Sequence, residues 1–181
     1  MIGLLRRSVK DLKTQRLRLV AITPAMLKAE AAADGSLAKA LGAEVTAEWP
    51  PEHWEPHVYH FIEKQYEEDP RTRGWHRYVL LPNVRGAKPA YTLIGAVGAF
   101  PKLEGDAEIG YSTILSYQRH GYATEAARAL VEWLLTQKDV KSVSAQTYPR
   151  LPESIKVMER CGMTYVGPGE DEGTVRYLRR R

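Results

Sequence analysis

The stretch ILSYQRHGYATEAARALVEWLL, residues 114–135, changes character at Gly121. Polar, hydrogen-bonding residues stop there and an apolar periodicity begins. Ala126, Ala127, Leu130, Val131, Leu134 and Leu135 recur on one face of an α-helix. Glu125, Arg128 and Glu132 lie off that stripe, at the spacing of helical charge pairs. The periodicity predicts a helix over residues 121–137. Residues 108–115, rich in Ile, Tyr and Thr, predict a strand before it. The segment reads strand, short loop, long helix.

The loop, residues 116–120, feeds the helix N-terminus, where the first amides have no partner inside the helix and the dipole adds partial positive charge. Gly121 has no Cβ, so a ligand can approach the backbone closely. Arg119 adds a cation and Thr124 a hydroxyl. Together they suit an anion such as phosphate. A plain helix start behind a surface loop has the same local pattern.

The spacing says more. Gln118-Arg119-His120-Gly121-Tyr122-Ala123 fits Gln/Arg-x-x-Gly-x-Gly/Ala, after a strand and before a long amphipathic helix. Here the chain resembles the GNAT superfamily of acyl-CoA-dependent N-acetyltransferases. The resemblance runs over residues 14–179. It is most specific in EIGYSTILSYQRHGYATEAARAL followed by ESIKVMERCGMTYVG, which are similar to the branch containing the ribosomal-protein N-terminal acetyltransferases. It implies that acetyl-CoA is the cosubstrate and that the loop holds its pyrophosphate. The cofactor-binding residues it implies are Ile114, Gln118, Arg119, His120, Gly121, Tyr122, Ala123, Thr124 and Ser154.

Elsewhere the pattern predicts strands at residues 16–22, 75–81, 91–100, 107–115, 141–147, 163–167 and 174–178. Helices are predicted at 24–33, 56–68 and 152–161, with a short one at 36–41. Thr23-Pro24 caps the first, and Gly162 ends the last. The fold class is α/β (α+β): a mixed, mostly antiparallel sheet of six to seven strands flanked by about four helices. A basic N-terminal extension, residues 1–13, precedes a single domain over 14–181. A chain of 181 residues is long enough for one full core.

Composition excludes several classes. No run of about 18 apolar residues exists, so no membrane-spanning helix is expected. The first ten residues lack the apolar stretch of a signal peptide, and a single cysteine, Cys161, suits a reducing cytoplasm. Arg6, Arg7, Lys10 and the terminal Arg179-Arg180-Arg181 together exceed the net charge of +4, so the rest of the chain is net acidic. That argues against nucleic acid as a partner.

Transfer to an amine needs a neutral nitrogen, hence a base. Glu108 is the candidate, and resemblance gives a strand-borne glutamate at this place that role. In a regular strand it shares a face with Gly110 and Ser112. Backbone amides of residues 109–114 are the implied oxyanion donors. Many members carry a Tyr in the last helix as acid for the thiolate; this chain has Met158 there. Ser154 takes its place, with Tyr111 or Tyr148 behind it. Where the branch has Asn, the chain has Leu151, a poor N-cap.

Trp49, Trp54 and Trp75 are the candidate acceptor-binding residues, in an aromatic, Pro-rich loop and just before a strand. His53, His57 and His60 do not form a metal site, because Pro56 breaks regular helix between the first two. Cys161 is read as core. The reading is an N-acetyltransferase acting on a primary amine, a small molecule or a protein N-terminus, with no metal and with homodimerisation as in many relatives. The rival is a GNAT fold that binds acyl-CoA without turnover, which Leu151 and Met158 keep open.

Overall fold

The computed structural model describes residues 9–52, 54 and 56–181, with only the backbone of Pro56. Arg6 and Arg7 of the basic extension, His53 and Glu55 lie outside the described residues. Among these there are eight strands and five α-helices. The strands are β1 (Leu12–Lys13), β2 (Arg18–Ala21), β3 (Arg77–Pro82), β4 (Tyr91–Pro101), β5 (Asp106–Thr113), β6 (Ser142–Thr147), β7 (Thr164–Pro168) and β8 (Val175–Arg180). The helices are α1 (Pro24–Ala31), α2 (Ser36–Leu41), α3 (Pro56–Glu68), α4 (Tyr122–Leu135) and α5 (Pro152–Arg160).

One sheet runs in the order β1-β2-β3-β4-β5-β6-β8-β7, antiparallel except for the parallel pair β5–β6. The predicted class holds, with one strand more than expected. The extra strand is β1, whose two residues pair with Leu19 and Arg18. It is too short to show alternation, and it brings part of the expected N-terminal extension into the sheet. Three helices separate β2 from β3, the short one expected at residues 36–41 among them.

Each sheet face carries a core. On one, the predicted stripe Ala126, Ala127, Leu130, Val131 and Leu134 of α4 packs on Val97, Ala107, Ile109 and Val143. On the other, Leu27 of α1, Leu37 of α2 and Ile62 of α3 cover Tyr78, Leu80, Leu93 and Ala96. The central strand β4 is therefore buried on both faces and reads as a continuous apolar run. Gly98 within it is required, since the His76 ring occupies the space of a side chain there. Thr23 caps α1 by accepting from the Met26 amide at 3.2 Å, as expected.

Candidate active site

The sheet splits in the middle. β5 and β6 pair only at Asp106–Ser142, Ala107–Val143 and Glu108–Ser144. Beyond these, residues 109–113 stay on β4 while residues 145–147 stay on β8, so the two strands diverge and leave facing edges. Asp106 clamps the closed end. It accepts from Ser142 Oγ at 2.8 Å, Ser144 Oγ at 2.5 Å and Arg176 Nη2 at 2.8 Å. At the open end Gly110 is exposed, with free space where a side chain would stand.

Glu108 occupies the last paired position, at the apex of the split. Its side chain is 15% exposed, and Oε2 is buried with no hydrogen-bond partner. Oε1 accepts from Gln146 Nε2 at 3.3 Å and lies 3.8 Å from Lys102 Nζ. Burial pushes the carboxyl above its ordinary range; Lys102 pulls the other way and loses. Gln146 is oriented by its own oxygen, which accepts from the Glu170 and Asp171 amides and from Thr174 Oγ1. Lys102 is held by Glu170 at 2.6 Å.

Across the gap, the Tyr111 hydroxyl lies 3.0 Å from both the carbonyl oxygen and Oγ of Ser154. Two candidates 43 residues apart in sequence thus meet. Burial pushes the Tyr111 phenol up to about 12, so it stays protonated and can donate. Met158 is buried between α4 and α5 and presents nothing to the gap. Tyr148 is exposed under the Arg150 guanidinium. Leu151 makes no side-chain cap, but its carbonyl accepts from the Ser154 amide at 3.1 Å and closes the first turn of α5.

The loop after β5 is built for a close approach. Ile114 is buried and anchors it, and Gln118 Nε2 donates to the Thr113 carbonyl at 3.0 Å. Arg119 and Gly121 both have left-handed backbone, with φ of 63° and 79°. Glycine adopts that region freely; arginine does so at a cost. Gly121 is the N-cap of α4, and its carbonyl takes the Glu125 amide. Gln118, Arg119, His120 and Gly121 are exposed, while Tyr122, Ala123 and Thr124 are half-buried in the first helical turn. Free amides, an exposed cation and no side chain at residue 121 fit a diphosphate, and the gap between β5 and β6 fits an extended chain leading from it.

A model of the acetyltransferase (GNAT) domain matches residues 16–164. The chain belongs to the GNAT acetyltransferase family. It is 31% identical over 153 residues to the uncharacterized N-acetyltransferase YjdG of Bacillus subtilis (strain 168), covering 83% of this chain and 88% of that protein. The acetyltransferase from Agrobacterium tumefaciens strain C58 superposes with a TM-score of 0.63 at 20% identity, covering 98% of both chains. The ribosomal L7/L12 α-N-protein acetyltransferase RimL, solved with coenzyme A, has a TM-score of 0.60 at 16% identity, covering 94% of this chain and 98% of its own. Similar folds extend to other GNAT acetyltransferases, so the ribosomal-protein branch is one among several. The chain is an N-acetyltransferase by family.

Three residues around this GNAT site were not singled out from sequence. Arg16 donates from Nη1 to the His120 carbonyl at 3.0 Å, pairs with Glu125 at 2.7 Å and lies 4.6 Å over the Tyr122 ring. Burial alone would push the Glu125 carboxyl up, but bonds from Thr14 and Arg16 outweigh it and hold it low. Gln146 and Lys102 flank Glu108. The alternation of residues 141–147 placed Gln146 opposite Val143 and Ala145, but nothing local linked it to Glu108. Ser116 is also tied across the molecule, donating from N and Oγ to Glu48 at 2.9 and 2.5 Å.

The three tryptophans do not converge. Trp49 and Trp54 lie on the α1–α3 face and donate to Glu30 Oε1 at 2.6 and 2.8 Å. Trp75 is buried in the opposite core, beneath α4. The sheet stands between them, because Trp75 follows a turn and packs beside Val79 rather than with Tyr78. His57 and His60 are exposed on α3, and no group of three metal-ligating side chains forms among the described residues. Cys161 is buried, its thiol pushed up to about 11 by burial, as suits a core residue. Among the described residues no helix is long and apolar enough to cross a membrane.

Proposed function

We propose that this GNAT protein transfers an acetyl group from acetyl-CoA to a primary amine by direct attack in a ternary complex. The observation that carries the reading is Glu108, a partly buried carboxylate whose Oε2 is buried with no partner, at the apex of the split sheet. An ammonium has no lone pair, so Glu108 takes its proton, directly or through one water. Its raised pKa brings it closer to that of the amine. The nitrogen then attacks the thioester carbonyl, the C–N bond forms and the C–S bond breaks. The unpaired edge of β5 offers amides for the oxyanion. Tyr111, paired with Ser154, supplies the proton or hydrogen bond for the departing thiolate.

The loop from Gln118 to Thr124 anchors the pyrophosphate of the donor, with Ile114 and Arg16 supporting it from behind. The acceptor approaches on the face of β5 shared by Glu108, Gly110 and Ser112. Its class is a primary amine, on a small molecule or a protein N-terminus.

The test is a thermal melt with saturating acetyl-CoA against adenosine, followed by thiol release with an amine panel. Ligand at about 100 times its Kd adds roughly 2.7 kcal/mol. A rise with acetyl-CoA alone and thiol release that Glu108→Gln abolishes is the expected result. No rise, or an unchanged pH profile in Glu108→Gln, overturns the assignment.

A further inference from the structure

A second feature lies away from the split. A cavity of about 490 Å³ opens between α1, α2 and the loop before α3, lined by Glu30, Leu37, Val45, Trp49, Pro50 and Tyr59 among others. Glu30 is 8% exposed, and its hydrogen-bond donors are all neutral: the Trp49 and Trp54 indoles and the Tyr78 hydroxyl. Burial first, and the Glu30 charge next, push the phenols of Tyr59 and Tyr78 up, so both stay neutral. No lysine, arginine or histidine pairs with Glu30 among the described residues. The rings form a box: Trp49 to Trp54 is 6.1 Å, Trp49 to Tyr78 5.8 Å and Trp54 to Tyr59 6.3 Å.

We propose that this cavity binds an organic ammonium ion at a site separate from the transfer centre. Glu30 supplies the countercharge that its neutral partners do not. The faces of the tryptophan and tyrosine rings attract cations, most strongly when water is excluded. The alanine, leucine and valine walls suit alkyl groups on the nitrogen and not a hydrated metal ion. Glu30 excludes anions. The place is distinct by topology. Tyr78 stands opposite Ala96, which stands opposite Ser112, two strands across and four residues along from Glu108. With strand spacing near 4.8 Å and a rise of 3.3 Å per residue, the two are roughly 16 Å apart. The inference does not depend on the transfer reaction.

Choline is the probe, and its uncharged isostere 3,3-dimethylbutan-1-ol is the control. The indole N–H of Trp49, which lines the cavity, and that of Trp54, which shares Glu30 Oε1 with it, report occupancy by NMR. Choline is expected to shift both and saturate, with the isostere about 3- to 30-fold weaker. Glu30→Gln should erase that preference, and Trp49→Leu should weaken choline while Tyr78 keeps its bond to Glu30. Equal shifts from choline and the isostere, or none from choline at tens of millimolar, overturn the proposal; the wild-type pair decides even where a variant does not fold. The ammonium belongs either to the far end of a diamine acceptor or to a free effector. Thiol release with linear diamines separates them: choline raises KM alone in the first case and changes kcat in the second. A protein without transfer activity still gives the choline readout.

Discussion

Arg77 and Tyr78 are neighbours on β3 and sit against buried charges on opposite faces of the sheet. On the α4 face, the Arg77 guanidinium is fully buried over the Trp133 ring at 4.6 Å. Two of its nitrogens have no partner, and its bonds go to the carbonyls of Lys10 and Leu19. On the α1–α3 face, Tyr78 donates to Glu30, which collects three side-chain donors. Among the described residues neither charge forms an ion pair, although Asp11 acts on Arg77 from a distance. One is poorly satisfied and the other well satisfied. A buried charge can therefore be a cost to the fold or a hub of it, and hydrogen bonding decides which.

The largest effect expected from this contrast is at Glu30. Glu30→Leu orphans the buried Trp54 and Tyr78 donors, at about 1–3 kcal/mol each, and the half-buried Trp49 donor, and should lower Tm by more than about 10 °C in calorimetry. A fall of a few degrees would break the hub reading.

Glu108 is a third, partly buried charge, between the two in satisfaction, with one oxygen bonded and one bare. Glu108→Gln should cut turnover about 100- to 10,000-fold in a thiol-release assay. Its Tm at neutral pH should hold or rise. Because burial raises the folded pKa, the stabilisation belongs to the protonated form and is lost as pH rises through that pKa, a loss the amide does not suffer. The acid limb of kcat/KM should stand above the ordinary carboxylate range in the wild type.

Arg77→Met is expected to change Tm by only a few degrees, in either direction, despite deleting a fully buried ion. Burial lowers the guanidinium to about 10. The unfolded chain then holds more protons above that pH, so wild-type stability should rise relative to the variant from pH 10 upward. A flat difference in alkaline denaturation would remove the cost. The smallest effect is at Arg16, half in solvent. Arg16→Ala should cost under about 1 kcal/mol yet raise KM for acetyl-CoA several-fold with kcat unchanged, since its contacts brace the loop backbone.

The readable parts of the chain were those with a local signal. The stripe of α4, the cap at Thr23, the Gly121 loop and Glu108 on its strand all announce themselves within a few residues. What stayed hidden depends on distance along the chain. Glu30 stands in a run of alanines with no local sign of burial, and only the return of residues 49 and 54 buries it. Arg77 carries no local sign of its cover, which Trp133 of α4 supplies 56 residues later. The Tyr111–Ser154 contact needs β5 and α5 to fold beside each other. The two-residue β1 carries no periodicity at all.

The short pairing of β5 with β6 makes the sheet a half-opened book, its spine three residue pairs long and bolted by Asp106, Ser142, Ser144 and Arg176. Its two covers are separately braced, one by β4 and the other by β8. A molecule slid between the pages acts as the missing rungs. Amide protons of residues 109–113 that face the gap should then exchange with solvent quickly in the free protein and slowly when the donor is bound, while those of the spine stay protected throughout. On the proposed placement of the donor, that substrate is also a temporary piece of the sheet, and each departing product leaves the book ajar again.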